Sequence, residues 1–224
     1  MDAARVVVVK DPDLVEQRLK ELGLDVETLH AALRAGLAER NACTPNDPPG
    51  FGGLVAWGRT VRRLRELLIV RDWKRTNSRR LAAVLNPAES VAVAVSTGDE
   101  RTGLDGAPPQ TRYAKGPAWE AAVEENLEQL AWTFPGMVAE AEAELHDTDI
   151  DDDRLNRVTW VFMFHVAADE TRCELSMPRN IGPDFKLDSW VERILLPALP
   201  HEPETTVEVT PPAPIDVPVK RRTS

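Results

Sequence analysis

Two cysteines, Cys43 and Cys173, are all that this chain of 224 residues contains. That is too few for a disulfide framework, and too few for a zinc knuckle, which takes four ligands. No run of about 18 apolar residues occurs, so a membrane-crossing helix is excluded. The opening Met1-Asp2-Ala3-Ala4-Arg5 and its four valines lack the long apolar stretch and small-residue cleavage site of a signal peptide. Glycine numbers only 12 and follows no Gly-X-Y period, which excludes a collagen-like fibre. Heptads are not sustained, which excludes a long coiled coil. There is no Gly-x-Ser-x-Gly elbow, no Walker loop and no dinucleotide-binding glycine fingerprint. These absences point to a cytoplasmic chain with no assembled catalytic motif, no cofactor signature and no metal-ligand pattern.

What is present suits a soluble globular protein: 42% hydrophobic and 29% charged residues. Arginine outnumbers lysine 21 to 6, which we read as the mark of a GC-rich bacterial genome. It also favours bidentate contacts to phosphate or carboxylate. Net charge is −10, but the charge is segregated. Residues 57–80 sum to +7, and residues 119–153 hold seven Glu and five Asp with no basic residue. Separation on this scale concerns partners or mutual docking rather than fold.

The chain pattern predicts an α+β protein. Arg5 to Lys10 is a β-branched run suited to a buried strand. Asp11, Pro12 and Gly23 mark both ends of a helix. Asp25 caps a second helix, with Leu24 and Leu29 as a hydrophobic staple, so the two read as an αα-hairpin. Residues 41–53 are broken by Pro and Gly. From Leu54, the positions Trp57, Val61, Leu64 and Leu68 trace an amphipathic basic helix. Asn77 to Leu85 reads as a further short helix, stopped by Asn86-Pro87. Val91, Val93 and Val95 alternate with smaller residues in a strand. After the connection at 98–116, Pro117 opens a helix that continues to about Leu145. Val158–Val166 suits a central strand, with Trp160, Phe162 and Phe164 on one face and Val161 and Met163 on the other. Arg172 to Met177 reads as a half-exposed strand, and Leu187 to Leu196 completes a three-stranded meander. We expect one α+β domain over 1–200, α-rich over 1–86 and sheet-containing over 87–200, with helices packed on a mixed or antiparallel sheet. Residues 201–224 read as a Pro-rich disordered tail.

Three segments invite a functional reading. Arg59, Arg62, Arg63 and Arg65 of the basic helix could neutralise phosphates, with Trp57 or Trp73 as a stacking face. Against that, Arg62 and Glu66 stand at pairing distance, the patch could dock on the acidic helix at 117–145, and the chain as a whole is acidic. The run His146 to Asp153 places aspartates at three calcium-loop positions, but Asp152 and Val158 stand where that loop needs Gly and Glu. The third is the connection at 98–116, long enough to suggest a function or a mobile polar loop. It leaves the carboxyl end of a strand and carries Thr97, Asp99, Glu100, Thr102, Arg112 and Lys115 at or within it, offering carboxylates for Mg²⁺ and cations for phosphate. His165 reads as a buried, hydrogen-bonded histidine. The leading expectation is a binding or accessory subunit with a protein partner, and with nucleic acid as a further candidate partner. The alternatives are a Mg²⁺-dependent phosphoryl-transfer enzyme or nuclease using the loop, and a nucleic-acid-binding protein using the arginine helix.

Overall fold

The computed structural model of the chain describes residues 6–133 and 157–201. The acidic run at 146–153, the continuation to Leu145 and the Pro-rich tail from 202 lie outside these residues. The fold is α+β: four α-helices and one mixed sheet of eight strands among the described residues.

Helix α1 (Pro12–Glu21) begins where Asp11 accepts hydrogen bonds from the Asp13 and Leu14 amides. It ends in a Schellman motif, with Gly23 at φ +75° and the Leu24 amide donating to the Leu19 carbonyl. Helix α2 (Val26–Asn41) is capped by Asp25, which accepts from the Thr28 amide, and the staple pair Leu24 and Leu29 is buried. Helix α3 (Phe51–Ile69) starts three residues before the expected Leu54. The closest helix crossing is α2 on α3: a Cβ at Gly36 would stand 2.2 Å from Thr60 Oγ1 and 2.5 Å from the Ala56 carbonyl oxygen.

The strands are β1 (Val7–Val9), β2 (Lys74–Thr76), β3 (Ala83–Leu85), β4 (Val91–Thr97), β5 (Val158–Val166), β6 (Glu170–Ile181), β7 (Leu187–Leu195) and β8 (Leu199–Pro200). Their order is β1-β7-β6-β5-β4-β3-β2, with β8 beside β6. β5, β6 and β7 form the antiparallel meander, whereas β4 runs parallel to β5 and β1 parallel to β7. The β4–β5 crossover carries helix α4 (Pro117–Thr133).

Residues of alternate parity on these strands meet two different layers. Val93, Val95, Trp160, Phe162, Phe164, Leu175 and Ile194 join the core of α1, α2 and α3. Val161, Met163, Leu187 and Trp190 turn to the other face, where Val123 of α4 meets them. The two-faced reading of β5 holds residue by residue.

Several local expectations are corrected. β1 is not a buried strand: it forms an edge, and Val7 is 53% exposed. The segment 77–85 is a single 3₁₀ turn, Ser78–Arg80, leading into β3, because the apolar run Ala83-Val84-Leu85 pairs with β4 instead of continuing helically. β6 is buried from Cys173 to Pro178 rather than half exposed, since a layer covers each of its faces. Past Pro197 the chain forms β8, where Leu199 is buried and pairs with Thr171.

Candidate functional site

The connection from Gly98 to Gly116 is a strap bound to the sheet rather than a mobile loop. Gly98 and Thr111 form an antiparallel bridge, the Arg112 amide donates to the Thr97 carbonyl, and the Asp99 amide donates to that of Gln110. Trp190 Nε1 donates to the Pro109 carbonyl at 2.9 Å, and Thr111 exchanges bonds with Leu187. Beneath the strap lies a buried ion pair. Arg193 Nη2 stands 2.6 Å from Glu174 Oε2 and Nε 3.1 Å from Oε1, with side-chain exposures of 1% and 0%. Glu174 also accepts from the Gly103 amide and the Ser176 hydroxyl, and Arg193 donates to the Leu104 carbonyl. Gly103 has φ +73°, and a Cβ there would stand 2.9 Å from the Arg172 Cβ, so only glycine brings this amide onto Glu174. The pair clamps the strap from below.

This architecture assigns work to the loop candidates. Asp99 Oδ1 accepts from the Arg101 amide, closing a local turn, and Thr102 is fully buried. Glu100 is exposed, and its carbonyl accepts from Arg172. Arg112 lies over the Tyr113 ring. No three of His, Cys, Asp and Glu come close enough to hold a metal ion among the described residues. The acidic pair therefore gains no third carboxylate. His165 is half-buried, not buried, and its Nδ1 donates to the Gly98 carbonyl at 3.4 Å.

The arginine helix behaves differently from its sequence reading too. Arg62 and Arg63 pair with Glu66 on the same helix, and Arg59 pairs with Glu39 of α2. Arg65 turns inward, donating to the Thr76 and Ala83 carbonyls and to Asn77, and its burial lowers its pKa. Among the described residues none of the four pairs with a carboxylate of α4; that ion pair is made by Arg79 with Glu125. Trp73 is buried and offers no stacking face.

A cavity opens instead at the sheet edge. β3 pairs with β4 as far as Ala94, and the strap joins the strand end at Thr97 and Asp99. Between them Val95 is left, and Trp57 Nε1 of α3 donates to its carbonyl at 2.9 Å. The resulting notch, about 380 Å³, lies between Trp57 and Trp119 and is walled by Leu54, Leu81, Tyr113 and Lys115. A volume of this size suits a small ligand or one large side chain. Lys115 Nζ donates to Ser96 Oγ at 2.7 Å and stands 5.4 Å from the Trp119 ring centroid. Burial holds the Lys115 pKa down to about 8. Its amide donates to the carbonyl of Phe185, an exposed residue of the turn before β7.

Of the sequence candidates, the structure therefore places Thr97 and Lys115 in the notch and leaves Asp99, Glu100 and Thr102 to the strap. Trp57, Ser96, Tyr113 and Trp119 were not singled out for this site. Hydrophobic spacing puts Trp57 on a helix face, as a stacking face for bases, and nothing local announces where β3 leaves β4. A second cavity, about 330 Å³, holds Arg79, Glu125, Arg157 and Glu89, whose charges already pair with one another. The chain matches no family model, no curated protein and no solved structure.

Proposed function

We propose that this protein works by binding, as an accessory subunit whose partner is a protein, and that the partner seats an apolar group in the notch beside β4. The observation that carries this reading is the apolar surface around the cavity. Leu54 and Tyr113 are each 60% exposed, an uncommon cost for large apolar residues that line one opening. Aromatic anchors in a desolvated pocket are the usual centre of a protein interface. Arg80, one of the five non-glycine residues with positive φ, lines this site, and such backbone costs about 1–3 kcal/mol where it persists.

The phosphoryl-transfer alternative has less support, because Asp99 is occupied in a turn and Lys115 faces aromatic rings. The nucleic-acid alternative has less support as well, because Arg59, Arg62 and Arg63 each pair with a carboxylate and Arg65 bonds inward to the Thr76 and Ala83 carbonyls.

Site-specific photo-crosslinking tests the reading. A benzophenone side chain at Tyr113 should capture one defined protein in the cell of origin, and Leu54→Glu should abolish that adduct while leaving Tm unchanged. The same crosslinker at Arg62 should capture nothing comparable. Equal capture from both positions, or indifference to Leu54→Glu, would refute it.

A further inference from the structure

An apolar seat needs no charge at its wall, yet this one has an ammonium. Lys115 makes its side-chain hydrogen bond to Ser96 and has no carboxylate partner among the described residues, and no Asp or Glu lines the notch. Its second cation is Arg80, held there by a left-handed backbone and likewise without an ion pair among the described residues. Ser96 and Thr97 add hydroxyls.

Resting on the notch as a partner's seat, we infer that it recognises the carboxyl-terminal end of a partner polypeptide: the α-carboxylate meets Lys115 and the last side chain enters between Trp57 and Trp119. Three observations converge on this ligand. The walls combine cations, hydroxyls and aromatic rings, which is complementary to an anion joined directly to an apolar body. The desolvation of Lys115 is already incurred in the free protein, so an arriving carboxylate regains the lost charge interaction without that cost falling on binding. An ammonium has three donors, and Ser96 takes one. Finally, the cavity holds about one large side chain with its carboxylate, while Leu54 and Tyr113, which line it and are each 60% exposed, carry the apolar surface out toward solvent. A polypeptide end uses both parts, whereas a small free acid would leave the surround empty.

The charged and titratable groups that line the notch with Lys115 are Arg80, from the segment before β3, and the Tyr113 phenol. The turn whose Phe185 carbonyl accepts from the Lys115 amide carries Asp184 and Lys186, paired with each other; β4, α3 and α4 supply the uncharged Ser96, Thr97, Trp57 and Trp119. Since Lys115 must be protonated and the peptide's carboxyl ionised in the complex, affinity is flat between about pH 5 and 8. Above that range, binding takes up a proton, and affinity falls by up to tenfold per pH unit.

The test screens the full-length chain against a peptide library with free carboxyl termini and randomised final residues. Phe, Trp or Leu should be enriched at the last position. Remaking the selected peptides as C-terminal amides should weaken binding at least about tenfold, as should Lys115→Met, whereas Lys115→Arg should keep most of the affinity. Circular dichroism confirms that the variants fold. Amides that bind as tightly as the acids would overturn the carboxylate assignment while leaving the apolar seat intact. Phenylacetate binding as tightly as the best peptide would replace the polypeptide end by a small acid. Absence of any enriched peptide would also overturn the inference, and the Leu54→Glu crosslinking result decides separately whether the partner reading falls with it.

Discussion

On one face of the sheet, Leu19, Leu29, Leu33, Leu64 and Leu68 from three helices bury themselves against Val93, Trp160, Phe162 and Leu175. On the other, a short apolar patch of Val123, Val161, Met163, Leu187 and Trp190 gives way to the Glu174–Arg193 pair, with Ser176, Gly103 and Leu104 bonded around it. The first face is held by contact area, which is non-directional and roughly proportional to what is buried. The second is held by a few directional bonds in a low-dielectric site, where each member satisfies another. An area-held face tolerates repacking. A bond-held face places a strap to within a fraction of an ångström and fails when one member is lost. The notch stands where the two constructions meet, between Trp57 of the helix layer and Lys115 at the end of the strap.

The largest expected effect breaks the bonded face. Arg193→Ala or Glu174→Ala should cost about 3–5 kcal/mol in urea unfolding, because each leaves an uncompensated buried charge. Replacing both by Met and Leu together should restore much of that loss; a double variant as unstable as the singles would show that the strap bonds, not the charges, dominate. Leu64→Ala, on the area-held face, should cost about 3 kcal/mol through a cavity. Combined with Arg193→Ala it should add without coupling, since the two sites lie on opposite sides of the sheet.

Lys115→Met sharpens the comparison at the junction. The folded-state pKa of Lys115, about 8, lies below the ordinary 10.5, so the unfolded chain binds more protons between these values. The wild-type penalty is therefore fully present below pH 8 and disappears as pH rises toward 10.5. At pH 7 the substitution should stabilise the protein by about 1–3 kcal/mol, and thermal melts should converge with wild type near pH 10.5. A stability difference independent of pH would show that the gain is packing alone. The smallest effects belong to the exposed arginines: Arg62→Ala and Arg63→Ala should each change stability by no more than about 0.5 kcal/mol, because screened surface pairs with Glu66 hold them.

Much of the fold was legible from local pattern. Asp11, Gly23 and Asp25 act on backbone groups a few residues away, so their capping roles follow from sequence distance alone. The alternation of Trp160, Phe162 and Phe164 with Val161 and Met163 follows from the two-residue period of a strand. The interest of the connection at 98–116, and of Lys115 within it, was visible from its length and its place after a strand. Its rigidity was not, because Glu174 and Arg193 lie about 70 and 90 positions away from the strap residues they hold.

What the sequence determined by itself is the four helices, the longer strands β4 to β7, the helix caps and most of their buried faces, since propensity, periodicity and capping act over one or two turns. What only the tertiary structure decided is which of those pieces become neighbours. Ala83–Leu85 is strand because β4 offers a ladder, Arg65 points inward because β2 and β3 leave carbonyls within its reach, and the notch exists because β3 leaves β4 before Val95. Those outcomes depend on burial and hydrogen bonding between residues distant in the chain, and a lysine that reads as a phosphate contact becomes, once desolvated between a hydroxyl and an aromatic ring, an ammonium awaiting an anion.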